Sequence, residues 1–447
     1  MLLMKHAKRL LLFGLFSITS IAQPLFVTEP DVRVRIINTM DTLNMVLTGG
    51  WTLGYGDSLN VTFSDASIIQ IIHSKDQIKV LDSTGILVPG VTTFRLIGLC
   101  DTSYARIQAV PYGVGWWWAG AEDRIYEGGF HIYIDSDQNM SVTLKLALET
   151  YLKGVVPYEI GPTSPLEALK AQAVAARSEA VIALSSGLYC GEHHDLTSDV
   201  ECQVFSGNAR RSVTSDQAVD ETRGLVLREK GQVMNAYYAS NCGGRSALIE
   251  NVWPDRPRLE SYKTSLPDNR SRRGPKLFCN WRARRWIKAS PVAFCNPELE
   301  PALPEWSREN FRWTREFELD ELSTMLAGNQ NLGLFKSMKV LERGLSGRIY
   351  KALFIFEQGS ITVDGELALR QRFRPSLRSA TFYIKKRGSR VTLYGAGWGH
   401  GVGMCQSGAI ALASHGTGFG QILTHYYTKA TLLDIYGGEL TKSELTF

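Results

Sequence analysis

The segment "SPLEALKAQAVAARSEAVIALSSG" at 164–187 constrains this chain more than any other. Leu166, Leu169, Ala173, Ala176, Ala180 and Leu184 recur at helical spacing, which predicts a long helix. Ser164 suits the N-cap, Pro165 the first helical position, and Glu167 would complete a capping box. Gly187 marks the C-terminal cap. Alanine lets neighbouring backbone come close, so the helix is expected to be central and buried, with other elements wrapped around it.

The flanking patterns differ on the two sides. Up to about residue 139 the chain alternates in short runs such as "VRVRII" at 32–37, "IIQIIHS" at 68–74 and "FHIYI" at 130–134, broken by Gly, Asp and Asn, which reads as strands. "LKLALETYLKGVVP" then predicts a short helix ending near Gly154, because Pro157 cannot continue it. Beyond 187, mixed strands and helices lead to "RVTLYGAGWGHGVGMCQSGAIALASHG", a strand, a glycine-rich loop and a helix. The expected class is α+β: a strand-rich N-terminal part followed by a mixed α/β core with the Ala-rich helix at its centre. The boundaries are 1–22 for a leader, 23–140 for the β-rich region, 141–438 for the core with a basic insertion at about 263–300, and 439–447 for a tail.

The leader is read from Lys5, Lys8 and Arg9 ahead of an apolar run at 10–22, too short to span a bilayer. Ser20 and Ala22 supply small residues at the −3 and −1 positions before Gln23. Export to the periplasm or cell envelope is expected, with membrane attachment only if this segment is uncleaved. The formal charge of +5 falls by three without the leader, so overall charge selects no partner. The seven cysteines (100, 190, 202, 242, 279, 295 and 405) are odd in number, and Cys279 with Cys295 is the expected local disulfide pair.

Nucleotide loops and the G-x-S-x-G elbow are missing. Two places offer polar groups to a cleft. One is the glycine-rich loop, where His400 sits between Gly399 and Gly401 and Gln406 opens the next helix. The other is Glu159, expected in a loop between two helices and flanked by Tyr158 and Ile160. Apolar neighbours disfavour the carboxylate and raise its pKa, whereas the N-terminus of the long helix favours it.

The run "LETYLKGVVPYEIG…SPLEALKAQAVAARSEA" resembles the signature of the stage II sporulation protein D (SpoIID)/LytB family. "DVECQVFSG", "YYASNCGGRS", "LSGRIYKALF", "LALRQRF", "WGHGVGMCQSGA" and "ILTHYYTKATLLDIY" follow in the expected order, so the resemblance covers about 120–436. It implies a lytic transglycosylase acting on peptidoglycan strands, commonly strands stripped of peptide by an amidase, with Glu159 as the essential acid and base. One carboxyl would suffice, because the muramic acid C6 hydroxyl is the nucleophile and the product is a 1,6-anhydro sugar. The resemblance also makes Lys170, Arg177, Tyr238, Asn241, Gly243, Gly244, His400 and Gln406 candidate substrate-side residues. Gln172, two residues from Lys170, is expected to point elsewhere.

Some relatives carry a zinc site in a segment like "DLCDTTHCQVY", where this chain reads "DLTSDVECQVF". Thr197 and Glu201 replace two ligands, while Cys202 remains with Cys190, His193 and His194 upstream; no cofactor is expected, with zinc at Cys190, His193 and Cys202 as the alternative. Eight basic residues between Asp268 and Lys288, with Trp281 and Trp286 among them, suit an anionic glycan better than nucleic acid in an exported protein. The main alternative to the enzyme is a non-catalytic enhancer of a cell-wall amidase; a metal-dependent hydrolase ranks third.

Overall fold

The computed structural model describes residues 25–437, apart from 39, 57, 58, 115, 117 and 257. The leader and the tail lie outside the described residues.

Alternation puts Val32, Val34 and Ile36 on the buried face of strand Asp31–Ile37, and Leu43, Met45 and Leu47 on that of Thr42–Thr48. Twelve strands from Asp31 to Ala147 build most of a seven-stranded and all of a six-stranded sheet. Inward side chains of both sheets join one apolar cluster. The β-rich part is not a separate layer ending at 140. Its last strand, Met140–Ala147, runs without a loop into helix α1 (Leu148–Ile160), and Leu196–Thr197 adds a parallel edge beside Val34 and Arg35.

Helix α1 corrects the sequence reading. It passes through Pro157 and includes Glu159, because Val155, Val156 and Ile160 bury fully and their packing outweighs the missing N–H. Gly154 is required by close approach: a Cβ there would lie 2.5 Å from the Phe205 ring.

Helix α2 (Leu166–Ser186) is central and buried as expected, and Gly187 caps it in the left-handed conformation at φ 60°. The capping box is not formed. Ser164 Oγ instead donates to the Ile160 carbonyl at 2.6 Å, and Glu167 accepts from the Phe419 N–H at 2.7 Å. Alanine faces let α2 pack against α1, helix α3 (Val213–Glu221), strand Leu225–Glu229 and the helices Gln406–Ser414 and Phe419–Tyr426.

A second apolar core, not separated in the sequence reading, gathers Trp313, Leu322, Phe335, Phe354, Phe373, Phe382 and Leu393. Two three-stranded sheets between Arg312 and Ala396 surround it. Arg312 and Ala396 are paired in one antiparallel ladder, so this unit leaves and rejoins the main body at adjacent points. Each strand's pattern was visible; which faces shared a core was not.

The basic stretch folds partly as helix α4 (Asn280–Lys288), anchored by buried Ala283, Trp286 and Ile287. Trp286 Nε1 donates to the Gly243 carbonyl at 2.9 Å. Cys279 and Cys295 are not bonded to each other: Cys279 precedes α4, while Cys295 is buried with its sulfur 3.7 Å from that of Cys242.

Candidate active site

Glu159 lies on the last turn of α1, where protein crowds it from most directions but leaves partial solvent contact. Burial raises its carboxyl from 4.5 to about 7, opposed by bonds from the Val204 N–H and the Gln406 side chain. The Val204 N–H reaches Oε1 at 2.8 Å. A carboxyl poised near neutrality is half protonated there, the condition for donating and then accepting a proton.

The neighbourhood is a polar network enclosed by apolar packing. Gln406 Nε2 donates to Gln172 Oε1 at 3.2 Å, joining the helix after the glycine-rich loop to the middle of α2. Gln172 is fully buried, and its own Nε2 has no partner among the described residues. Tyr238 Oη donates to Gln203 Oε1 at 2.7 Å, and Gln203 Nε2 donates to the Ala176 carbonyl at 3.2 Å. Tyr151 and Tyr238 both lie within electrostatic reach of Glu159, and burial holds both phenols protonated. On the outer side, Tyr158 stacks under the exposed Arg210 guanidinium at 4.2 Å. A further buried acid on α2, Glu179, is raised by burial to about 7 and lies within electrostatic reach of Tyr238.

The structure therefore gathers Glu159, Tyr238 and Gln406 from the expected set. It puts Gln172 at the centre, against the expectation that it points elsewhere. Arg177 is wholly buried away from solvent, its guanidinium held by Glu149 at 2.6 Å and by the Leu225 and Val219 carbonyls. Lys170 pairs with Glu167 at 2.8 Å and Glu221 at 2.7 Å. Both cations are occupied in holding α2 to its neighbours, so neither is a substrate ligand. Asn241 is buried, pairing with Trp398 through the backbone and donating Nδ2 to Ser407 Oγ at 3.2 Å. Gly243 and Gly244 adopt φ of 75° and 98° and accommodate the docked α4, a structural rather than a substrate-facing duty. His400 is not a charged cleft group. Burial, with Arg348 and Arg370 nearby, depresses it to about 3, while Nδ1 accepts from the Val402 N–H and the ring packs on Trp253 at 4.7 Å.

The zinc alternative does not assemble. Cys190 is exposed, the His193 ring packs on Tyr133 at 4.5 Å, and Cys202 lies 3.6 Å from the Tyr189 hydroxyl. Among the described residues these three form no ligand group. Sequence reasoning missed Gln172, Gln203, Tyr151 and Glu179. The signal for Gln172 was a polar residue within an otherwise apolar, Ala-rich run.

Fold and site together define an α+β protein built around one buried, protonatable acid. The stage II sporulation protein family model matches residues 136–228, the segment that carries Glu159, Gln172 and Gln203. A second model, described as a domain of unknown function (DUF8618), matches 298–403 and so includes the second core. The chain is 28% identical over 306 residues to an uncharacterised protein of Brachyspira hyodysenteriae, covering 68% of this chain and 72% of that one. It is 26% identical over 326 residues to the stage II sporulation protein D of Bacillus amyloliquefaciens, covering 69% and 80%. It is also 27% identical over 309 residues to the amidase enhancer of Bacillus subtilis, covering 63% of this chain but only 40% of that longer protein. With the motifs, these matches place the chain in the SpoIID/LytB family.

Proposed function

We propose that this protein is an exported lytic transglycosylase that cuts between N-acetylmuramic acid and N-acetylglucosamine in peptidoglycan, Glu159 serving as acid and base. The observation that carries the reading is the Glu159 carboxyl itself, raised to about 7 and open to solvent on one side. Protonated, Glu159 donates to the glycosidic oxygen as the bond to C1 breaks. As the carboxylate, it accepts the proton of the C6 hydroxyl while that oxygen closes on C1. No water enters the product, and the carboxyl ends the cycle protonated. The Val204 N–H and Gln406 stabilise the transient carboxylate. The buried Gln172 amide next to Gln406 supplies a further donor in the same network. Arg210 on Tyr158 offers a cation at the rim for the lactyl carboxylate of a peptide-free strand.

Similarity to an amidase enhancer favours a second role, stimulation of a cell-wall amidase that supplies peptide-free strands. Glu159→Gln separates the two. Digests of amidase-treated glycan by the wild type should contain 1,6-anhydro ends by mass spectrometry, and those of the variant should not. Enhancement of an amidase by the variant would persist if that role is separate. Wild-type anhydro release by the variant would sink the catalytic assignment.

A further inference from the structure

Among the described residues, one set of side chains could hold a metal ion: Cys242, Asp268, Cys295 and Cys405, all buried, with one ligand atom from each lying within 4.8 Å of the others. It is distinct from the Cys190, His193 and Cys202 positions. Its members lie 26, 53 and 163 residues from Cys242, so no sequence spacing announces it.

The separations suit a tetrahedral ion. Zinc bonds of about 2.3 Å to sulfur and about 2.0 Å to oxygen set ligand edges of about 3.8 Å between sulfurs and about 3.5 Å between sulfur and oxygen. Here the Cys242 and Cys295 sulfurs are 3.7 Å apart, and Cys242 Sγ lies 3.5 Å from Asp268 Oδ2. The outer arrangement matches as well. Asp268 leaves Oδ2 toward the sulfurs while Oδ1 accepts from Tyr426 Oη at 2.9 Å and lies 3.5 Å from His425 Nε2. That is how a ligating carboxylate is ordinarily oriented by its supports. The Cys242 N–H points at Cys405 Sγ at 3.2 Å. Gly408 makes room, since a Cβ there would stand 2.7 Å from Asp268 Oδ2.

Charge is matched too. Three thiolates and a carboxylate around a divalent ion leave two negative charges, which a buried site must offset. Arg312 lies within electrostatic reach of Cys242 and Cys295, and Arg348 of Cys242 and Cys405.

We propose that Cys242, Asp268, Cys295 and Cys405 form a structural zinc site behind the active site. The ion would tie together three separate segments: the turn before Gly243, the two ends of the basic excursion through Asp268 and Cys295, and the glycine-rich loop at Cys405. Cys405 immediately precedes Gln406, so the same ion fixes the residue that bonds Glu159. Binding releases the thiol protons and involves no change of oxidation state.

The test uses the full chain purified under reducing conditions with zinc and then desalted. Elemental analysis should find about one zinc per chain, falling below about a tenth in Cys295→Ser and Cys405→Ser. Cys190→Ser/Cys202→Ser should keep the full complement, and Asp268→Cys should keep it by supplying a fourth thiolate. Cobalt added to the metal-depleted wild type should give tetrahedral visible bands with thiolate-to-metal charge transfer, a readout that needs no variant to fold. Absence of stoichiometric zinc together with a Cys242–Cys295 disulfide in the peptide map would overturn the proposal. So would loss of metal from the Cys190/Cys202 variant with retention in Cys295→Ser.

Discussion

Replacing Glu159 by Gln should destroy activity and stabilise the fold, and the two effects have one origin. The carboxyl is raised from 4.5 to about 7 because its charge is poorly solvated where it sits. That difference corresponds to about 3 kcal/mol at about 1.4 kcal/mol per pH unit. Partial solvent contact screens some of it, leaving a net gain of about 2 kcal/mol for a neutral isostere at alkaline pH. The sign follows from proton linkage. Between the unfolded and folded values the native state holds the proton that the unfolded chain releases, so wild-type stability falls as pH rises from 4.5 to about 7. The variant lacks this fall. Its advantage should be near zero at about pH 4, where the acid is neutral in both states, and complete above about pH 8. Urea unfolding of both proteins at the two pH values measures the difference, in which other titrating groups cancel. Anhydro-product release should drop by at least about 100-fold, the ordinary contribution of a general acid or base. Wild-type turnover should decline above about pH 7 as Glu159 ionises. Equal pH dependence of stability in the two proteins would refute the claim that Glu159 is held against its charge.

Gln406→Ala removes a bond that favours the carboxylate, so the alkaline limb of the pH–rate profile should move upward; a downward move would contradict the network. Arg177→Met leaves Glu149 buried without its cation and should cost about 3–5 kcal/mol in denaturant unfolding, whereas a loss under about 1 would reject the structural role. Arg282, Arg284 and Arg285, each over an aromatic ring on or beside α4, should aid capture of peptide-free strands. Their replacement by Ser should weaken glycan pull-down at low salt and have little effect at high salt, since exposed charges are screened beyond about 8 Å; equal binding at low salt would exclude them.

Local pattern made some of this legible and long-range geometry hid the rest. The buried Ala-rich helix and its Gly187 cap were readable because periodicity and terminators are encoded within a few residues. Pro157 misled: a local rule ended α1 early, whereas burial of Val155, Val156 and Ile160 carried it to Glu159. Arg177 could not be placed from sequence, because its partner Glu149 is 28 residues away and a motif arginine reads alike as ligand or strut. Gln172 was set aside on helical spacing from Lys170, yet the useful comparison was with its apolar neighbours on the buried side. The thiol and carboxylate group was invisible for a topological reason, since its members meet only after distant segments have folded together.

The adjacency of Arg312 and Ala396 has an evolutionary corollary. Because the excursion begins and ends in one ladder, its interior can lengthen, shorten or change sequence while the stem keeps its footprint on the parent body. Its own apolar core makes it an appendage that selection could exchange much as one changes the head of a tool. Arg348, reaching back to the Cys242 and Gly399 carbonyls, is the sort of contact by which such a graft becomes entrenched. Diversification is therefore expected to concentrate between these two residues, while the walls that hold Glu159 stay fixed.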